Sequence, residues 1–102
     1  MSSSNPVVAR LIEAINAGDR DAFLATLTPD ATLTDDGTQR DLAEWIDREI
    51  FTVNGHFAVE REEPDGLAMR VRFRNDTWGE MSTFWRFQIA GDKISRIETG
   101  QA

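Results

Sequence analysis

Two runs in the second half of the chain, "LAMRVRFRN" (67–75) and "EMSTFWRFQI" (80–89), alternate apolar and polar residues one by one. Met69, Val71 and Phe73 fall on one side of the first run, and Arg70, Arg72 and Arg74 on the other. In the second run Met81, Thr83, Trp85, Phe87 and Ile89 share a side. Successive side chains of a strand point to opposite faces, so these runs predict half-buried strands with one dry and one wet face. A dry sheet face has to be covered, and the rest of the chain must supply the cover.

The first half supplies helices. Val8, Leu11, Ile12 and Ile15 recur at helical spacing opposite Arg10 and Glu13, and Pro6 suits a first helical turn. "NAGD" stops this helix, with Gly18 as a left-handed cap. Asp19 caps a second, short helix carrying Phe23, Leu24 and Leu27, which Pro29 closes. "ATLT" reads as a short strand, and Gly37 turns the chain. Thr38 and Asp41 resemble a capping box for a third helix with the stripe Leu42, Trp45, Ile46 and Ile50. "HFAVERE" and "ISRIETG" complete a meander of four strands, with turns at "EPDG" and "AGDK". The expectation is one α+β domain over residues 1–102, with three N-terminal helices on an antiparallel sheet and a flexible arm at 1–5.

The 18 acidic and 11 basic residues leave a net charge of −7. Nucleic acids and anionic lipid surfaces bind clustered Lys and Arg, so neither is an expected partner. No apolar run reaches the ~20 residues of a membrane helix, and "MSSSNP" lacks the features of a signal peptide. The absence of cysteine rules out disulfides, thiolate metal ligands and a cysteine nucleophile. A cytoplasmic location is expected. With one histidine and no cysteine, no metal and no cofactor are expected either. His56 reads either as a proton shuttle at a pocket mouth or, more simply, as a partly exposed residue at the start of a strand.

The stretch "AINAGDRDAFLATLTPDATLTDDG" (14–37) runs helix, "NAGD", short helix, "DAT", acid, glycine. Together with "FWRFQIAGDKISRIE" (84–98) it resembles the nuclear transport factor 2-like (NTF2-like) superfamily, which includes SnoaL-like polyketide cyclases and ketosteroid isomerases. The resemblance implies a cystatin-like cone, in which a strongly curved sheet wraps the long helix around an apolar pocket. It also implies dimerisation through the outer sheet face. It carries the isomerases' general base onto Asp35. Their oxyanion-binding tyrosine falls at Leu11 and the protonated acid at Thr83, in a chain that contains no tyrosine.

Strand alternation points Asp35 the same way as Leu33 and Asp36 the opposite way. Two readings of Asp35 follow. A carboxylate in an apolar cone has its charged form disfavoured by desolvation, the condition a general base exploits. It would take the proton of an enolisable carbonyl compound, with Thr83 steadying the oxyanion. Alternatively, "DDG" is turn chemistry, the reading that also suits Asp36. Leu11, Trp45, Phe57, Met69, Thr83 and Trp85 are the expected pocket wall, with Trp78, Phe73, Phe84 and Phe87 as further aromatic candidates. The same large side chains also read as core that fills the pocket. Arg70, Arg72 and Arg74 read as an ion-pair ladder with Glu60 and Glu62 on the outer face. Phe84 stands among them as an exposed anchor, and Arg61 points inward. A homodimer through Arg70, Arg72 and Phe84 is expected. Two functions remain open: a cofactor-independent isomerase or cyclase acting on an apolar carbonyl compound, and a non-catalytic dimeric module binding a small apolar ligand or a protein.

Overall fold

The structure is a computed structural model that describes residues 3–102. Helix α1 (Pro6–Ala17) begins at Asn5, whose side-chain oxygen accepts from the Val7 and Val8 amides, and ends at Gly18 in the left-handed conformation. It buries Val7, Val8, Leu11, Ile12 and Ile15. Helix α2 (Arg20–Ala25) is capped by Asp19. Then come strands β1 (Leu27–Asp35) and β2 (Thr38–Arg40), helix α3 (Leu42–Ile46), and a π-helical segment, Asp47–Phe51. Strands β3 (His56–Glu62), β4 (Ala68–Asn75), β5 (Gly79–Ala90) and β6 (Lys93–Gln101) follow.

The six strands form one curved, unclosed sheet in the order β2-β1-β6-β5-β4-β3. The alternating runs are β4 and β5, paired antiparallel with Val71 opposite Thr83 and Met69 opposite Trp85. The sheet is mixed rather than all antiparallel, because β1 lies parallel to β6. Leu27 belongs to β1 and not to the second helix. That helix ends when the Thr26 hydroxyl turns back to the Phe23 carbonyl (2.7 Å). The Thr26 carbonyl then accepts from Ile94 and opens the pairing with β6. Pro29 sits where the β1–β6 register shifts, between Leu27 and Thr32, so its missing N–H costs the ladder nothing. Two strands therefore separate the second helix from the third. The third helix is capped by Asp41, which accepts from the Glu44 amide (3.0 Å), rather than by a Thr38 box.

The edge strand β3 is held by α1. The Asn16 side-chain amide donates to the Phe57 carbonyl (2.9 Å) and accepts from the Phe57 amide (2.8 Å), standing in for a missing neighbour strand. A bulge between Val59 and Arg61 reverses the alternation of the last residues of β3. Arg61 consequently lies opposite Arg70, exposed on the outer face rather than inward. Glu62 lies opposite Met69, and its carboxylate accepts from the Ser4 amide (3.1 Å). Of the expected ladder, Arg72 pairs with Glu60 (3.0 Å) and with Glu80 (3.5 Å). Phe84 is half-buried rather than exposed, with the Arg86 guanidinium 5.0 Å above its ring.

Of the arm expected at 1–5, residues 1–2 lie outside the described residues. From Ser3 onward it touches the β3–β4 turn, where the Ser3 hydroxyl donates to the Gly66 carbonyl (2.8 Å).

Candidate functional site

The site begins at the hairpin that joins β1 to β2. Asp35 pairs with Thr38, so the loop is the two residues Asp36 and Gly37. Both have positive φ, 51° and 83°, the signature of a type I′ turn, which Asp-Gly favours. Asp35 is thereby the last residue of β1 and shares a face with the fully buried Leu33. The strand registers place Asp35, Thr99 and Trp85 in one row across β1, β6 and β5. Asp36 is fixed by the neighbouring strand: its amide donates to the Thr99 carbonyl (2.9 Å) and its carboxylate accepts from the Gln101 amide (3.0 Å). Gly100 makes this approach feasible, because a Cβ there would strike the Asp36 carboxylate and lie 2.8 Å from the Phe84 ring.

Above this row sits α3. The Trp45 indole N–H donates to the Asp35 carboxylate at 3.0 Å. A cavity of about 340 Å³ opens here, walled by Asp35, Trp45, Phe73, Thr83, Trp85 and Met81. Arg40, Arg48, Glu49 and the 63% exposed Trp78 also line it.

Of the expected residues, Asp35, Trp45, Thr83 and Trp85 meet on this wall. Leu11, Phe57 and Met69 are buried but do not line it. Trp85 is the reason the cavity stays at the mouth of the cone. It is 1% exposed, with ring centroids of Phe57 at 5.0 Å, Trp45 at 6.0 Å, Phe73 at 6.1 Å and Phe87 at 6.3 Å, and this cluster fills the interior. The Thr83 hydroxyl donates to the Val71 carbonyl (2.9 Å) and accepts from the Trp85 indole N–H (3.1 Å). Its one proton is committed, so Thr83 lacks the donor that steadying an oxyanion requires.

The sequence reading missed Arg40, Arg48, Glu49, Met81, Thr99 and Gln101. Arg40 was recoverable. A two-residue Asp-Gly loop sets Leu33 opposite Arg40 and turns Arg40 to the inner face. Arg48 and Glu49 carried no such signal. They lie in the π-helical segment, where the Thr52 amide bonds back to the Asp47 carbonyl (3.0 Å) and helical spacing no longer tells which way a side chain faces. Arg20 holds this segment from α2 through a 2.6 Å bond to Asp47, and that contact raises the Arg20 pKa above its ordinary value. The buried Asn75 braces the segment from β4. It donates to the Glu49 carbonyl (2.9 Å) and accepts from the Trp78 amide (2.8 Å), which fixes both residues at the rim.

The charges at the rim are mostly paired. Glu49 accepts from the Trp78 indole (3.2 Å) and faces Arg48 (3.5 Å), which also faces Glu44 (3.6 Å). Among the described residues no carboxylate lies within 4.0 Å of the Arg40 guanidinium. His56 is exposed and does not line this cavity. Among the described residues no cluster of three His, Cys, Asp or Glu side chains is arranged to hold a metal ion, and no helix is long and apolar enough to cross a membrane.

The sequence matches no protein-family profile and no curated protein. Solved structures do match. An NTF2-like protein of unknown function from Cytophaga hutchinsonii superimposes with a TM-score of 0.78 at 12% identity, over 97% of this chain and 89% of that one. A "putative polyketide cyclase" from Sinorhizobium meliloti gives 0.75 at 21% identity, over 91% and 92%. A computationally designed 17-OHP binder gives 0.78 at 14% identity, over 97% and 91%. At such identities the agreement concerns the backbone alone, and on that basis the chain has the NTF2-like, cystatin-like fold.

Proposed function

We propose that the cavity at the mouth of the cone binds a small apolar carbonyl compound and that Asp35 is its acid/base group. The observation that carries this reading is the Asp35 carboxylate on an aromatic-lined wall of a 340 Å³ cavity, oriented by the Trp45 indole N–H. That bond fixes one carboxylate oxygen and leaves the other for the ligand. A base positioned this way takes a proton from the carbon next to the carbonyl and returns it elsewhere, which is isomerisation or ring closure without a cofactor. Both the "putative polyketide cyclase" and the designed 17-OHP binder that share the fold are consistent with a small organic ligand in this cavity.

The test is exchange of ketone α-protons in heavy water, followed by NMR over a panel of apolar ketones. Asp35→Asn keeps an acceptor for Trp45 and removes the base, so exchange falls by roughly 100-fold or more. Equal exchange in the two proteins would refute the acid/base role.

The commitment of the Thr83 proton to Val71 favours a second reading, a module that binds such a ligand without turning it over. Binding with no exchange would select it. In either case we propose a homodimer through the outer sheet face, around Arg70, Arg72 and Phe84. Light scattering that reports only the 11.5 kDa monomer at micromolar concentration would reject it.

A further inference from the structure

A cavity that moves a proton away from carbon must also receive the negative charge this leaves on oxygen. Apart from the exposed, neutral Gln101 carboxamide, the side-chain donors on the wall can be accounted for one by one. The indole N–H of Trp45 goes to Asp35, that of Trp85 to Thr83, and that of Trp78 to Glu49. The hydroxyl of Thr83 goes to Val71 and that of Thr99 to Phe84. Arg48 faces two carboxylates. Arg40 is different: it lines the cavity, is only partly exposed, and has no carboxylate within ion-pair reach among the described residues. A guanidinium offers five N–H groups in a fixed plane and keeps its charge at any accessible pH.

The β1–β2 register places Arg40 relative to Asp35. Arg40 stands opposite Leu33, two positions along β1 from Asp35 and on the same face. Diagonal neighbours of this kind are roughly 7 Å apart at the backbone, so a carbonyl group and its adjacent carbon fit between the two side chains.

We infer that Arg40 is the cavity's oxyanion-binding residue, and that the ligand presents a negatively charged oxygen to it while its adjacent carbon or hydroxyl faces Asp35. This rests on the acid/base reading of Asp35 and names the group that completes it. In the enolisation step the Asp35 carboxylate takes the α-proton. The C–H electron pair becomes the carbon–carbon double bond, and the carbonyl π pair moves onto oxygen beside Arg40. Protonated Asp35 then returns the proton to carbon. Nothing is oxidised or reduced, and no further reactant is needed. The same guanidinium also suits a ligand that already carries a carboxylate. The shared chemistry is an oxyanion on a flat apolar body, presented to an otherwise acidic protein of net charge −7.

The test uses three probes of one shape: 2-naphthoate, 2-naphthol and the neutral ketone 2-acetylnaphthalene. Each is titrated at low salt into the wild type, Arg40→Met and Arg40→Lys, with NMR shifts reporting binding and circular dichroism checking the fold. Arg40→Met is expected to weaken naphthoate by about 10-fold or more and to leave the ketone within about twofold, because only a charge-assisted bond is removed. Arg40→Lys keeps the charge and recovers part of the loss. Naphthol absorbance assigns the source of the oxyanion. If bound naphthol ionises at lower pH in the wild type than in Arg40→Met, the site stabilises an enolate. If only naphthoate responds, it holds a standing carboxylate. An equal loss for ketone and anion, or none for either, overturns the inference while leaving the Asp35 reading intact. Failure of all three probes to bind the wild type at millimolar concentration overturns both.

Discussion

Trp85 is the centre of the aromatic cluster that fills the interior, and replacing it by phenylalanine measures how firmly that cluster is packed. The indole is 1% exposed, contacts four aromatic rings and donates one hydrogen bond to Thr83. Phenylalanine keeps the first ring in place and deletes the outer part of the second. About two buried carbon equivalents are lost, at ~0.8 kcal/mol each. The hydrogen bond to the Thr83 oxygen contributes about 1 kcal/mol more. The sum is roughly 2.5 kcal/mol, a large share of the total stability expected for a domain of this size. With a urea slope of about 1–1.5 kcal/mol/M, the unfolding midpoint falls by roughly 2 M. Urea titration followed by far-ultraviolet circular dichroism reads this directly. The substitution also deepens the cavity toward Phe57, so on the proposed binding role the variant is expected to gain affinity for longer ligands. A loss below about 0.5 kcal/mol, with an unchanged slope, would refute the reasoning, since it would mean the cluster around Trp85 is loosely packed and the interior already open.

Two further substitutions test local features. Gly100→Ala drives a methyl group against the Asp36 carboxylate and the Phe84 ring. It is expected to cost about 1–3 kcal/mol in thermal or urea unfolding. Asp41→Ala removes the cap of α3, and with it the support of Trp45 over Asp35. The expected loss is about 1 kcal/mol, with amide exchange in residues 42–46 speeding up more than in α1.

The alternating runs were the most legible part of the chain. Strict alternation over β4 and β5 fixes which residues are inside, and Met69, Val71, Phe73, Trp85 and Phe87 are all buried there. Asp35 could be separated from Asp36 on the same logic. The failures lie where the period breaks. A bulge in β3 turned Arg61 outward and Glu62 around, and a single extra residue of that kind leaves no mark in composition. The π-helical segment hid Arg48 and Glu49 in the same way. Leu27 suited either a helix or a strand by its pattern, and only its pairing with Ile94 of β6 decides between them. Thr83 was placed on the wall from sequence, but the destination of its proton depends on a partner strand that no local reading supplies.

Strand β6 lies between β1 and β5, so the two parts of the sheet meet only through it. Asp35 reaches Trp85 across Thr99, a residue more than sixty positions later in the chain than Asp35. Closing so long a loop is slow compared with forming a hairpin. The β1–β2 and β4–β5 hairpins can each form early, yet neither contains a complete site. A two-residue turn joins β6 to β5, so the cavity comes into being when β1 pairs with β6, and it is lost first if that pairing opens. Fast opening of this one pairing would take the proposed site apart without unfolding either half, so on that proposal the lifetime of the β1–β6 pairing sets an upper bound on how long a ligand could stay bound.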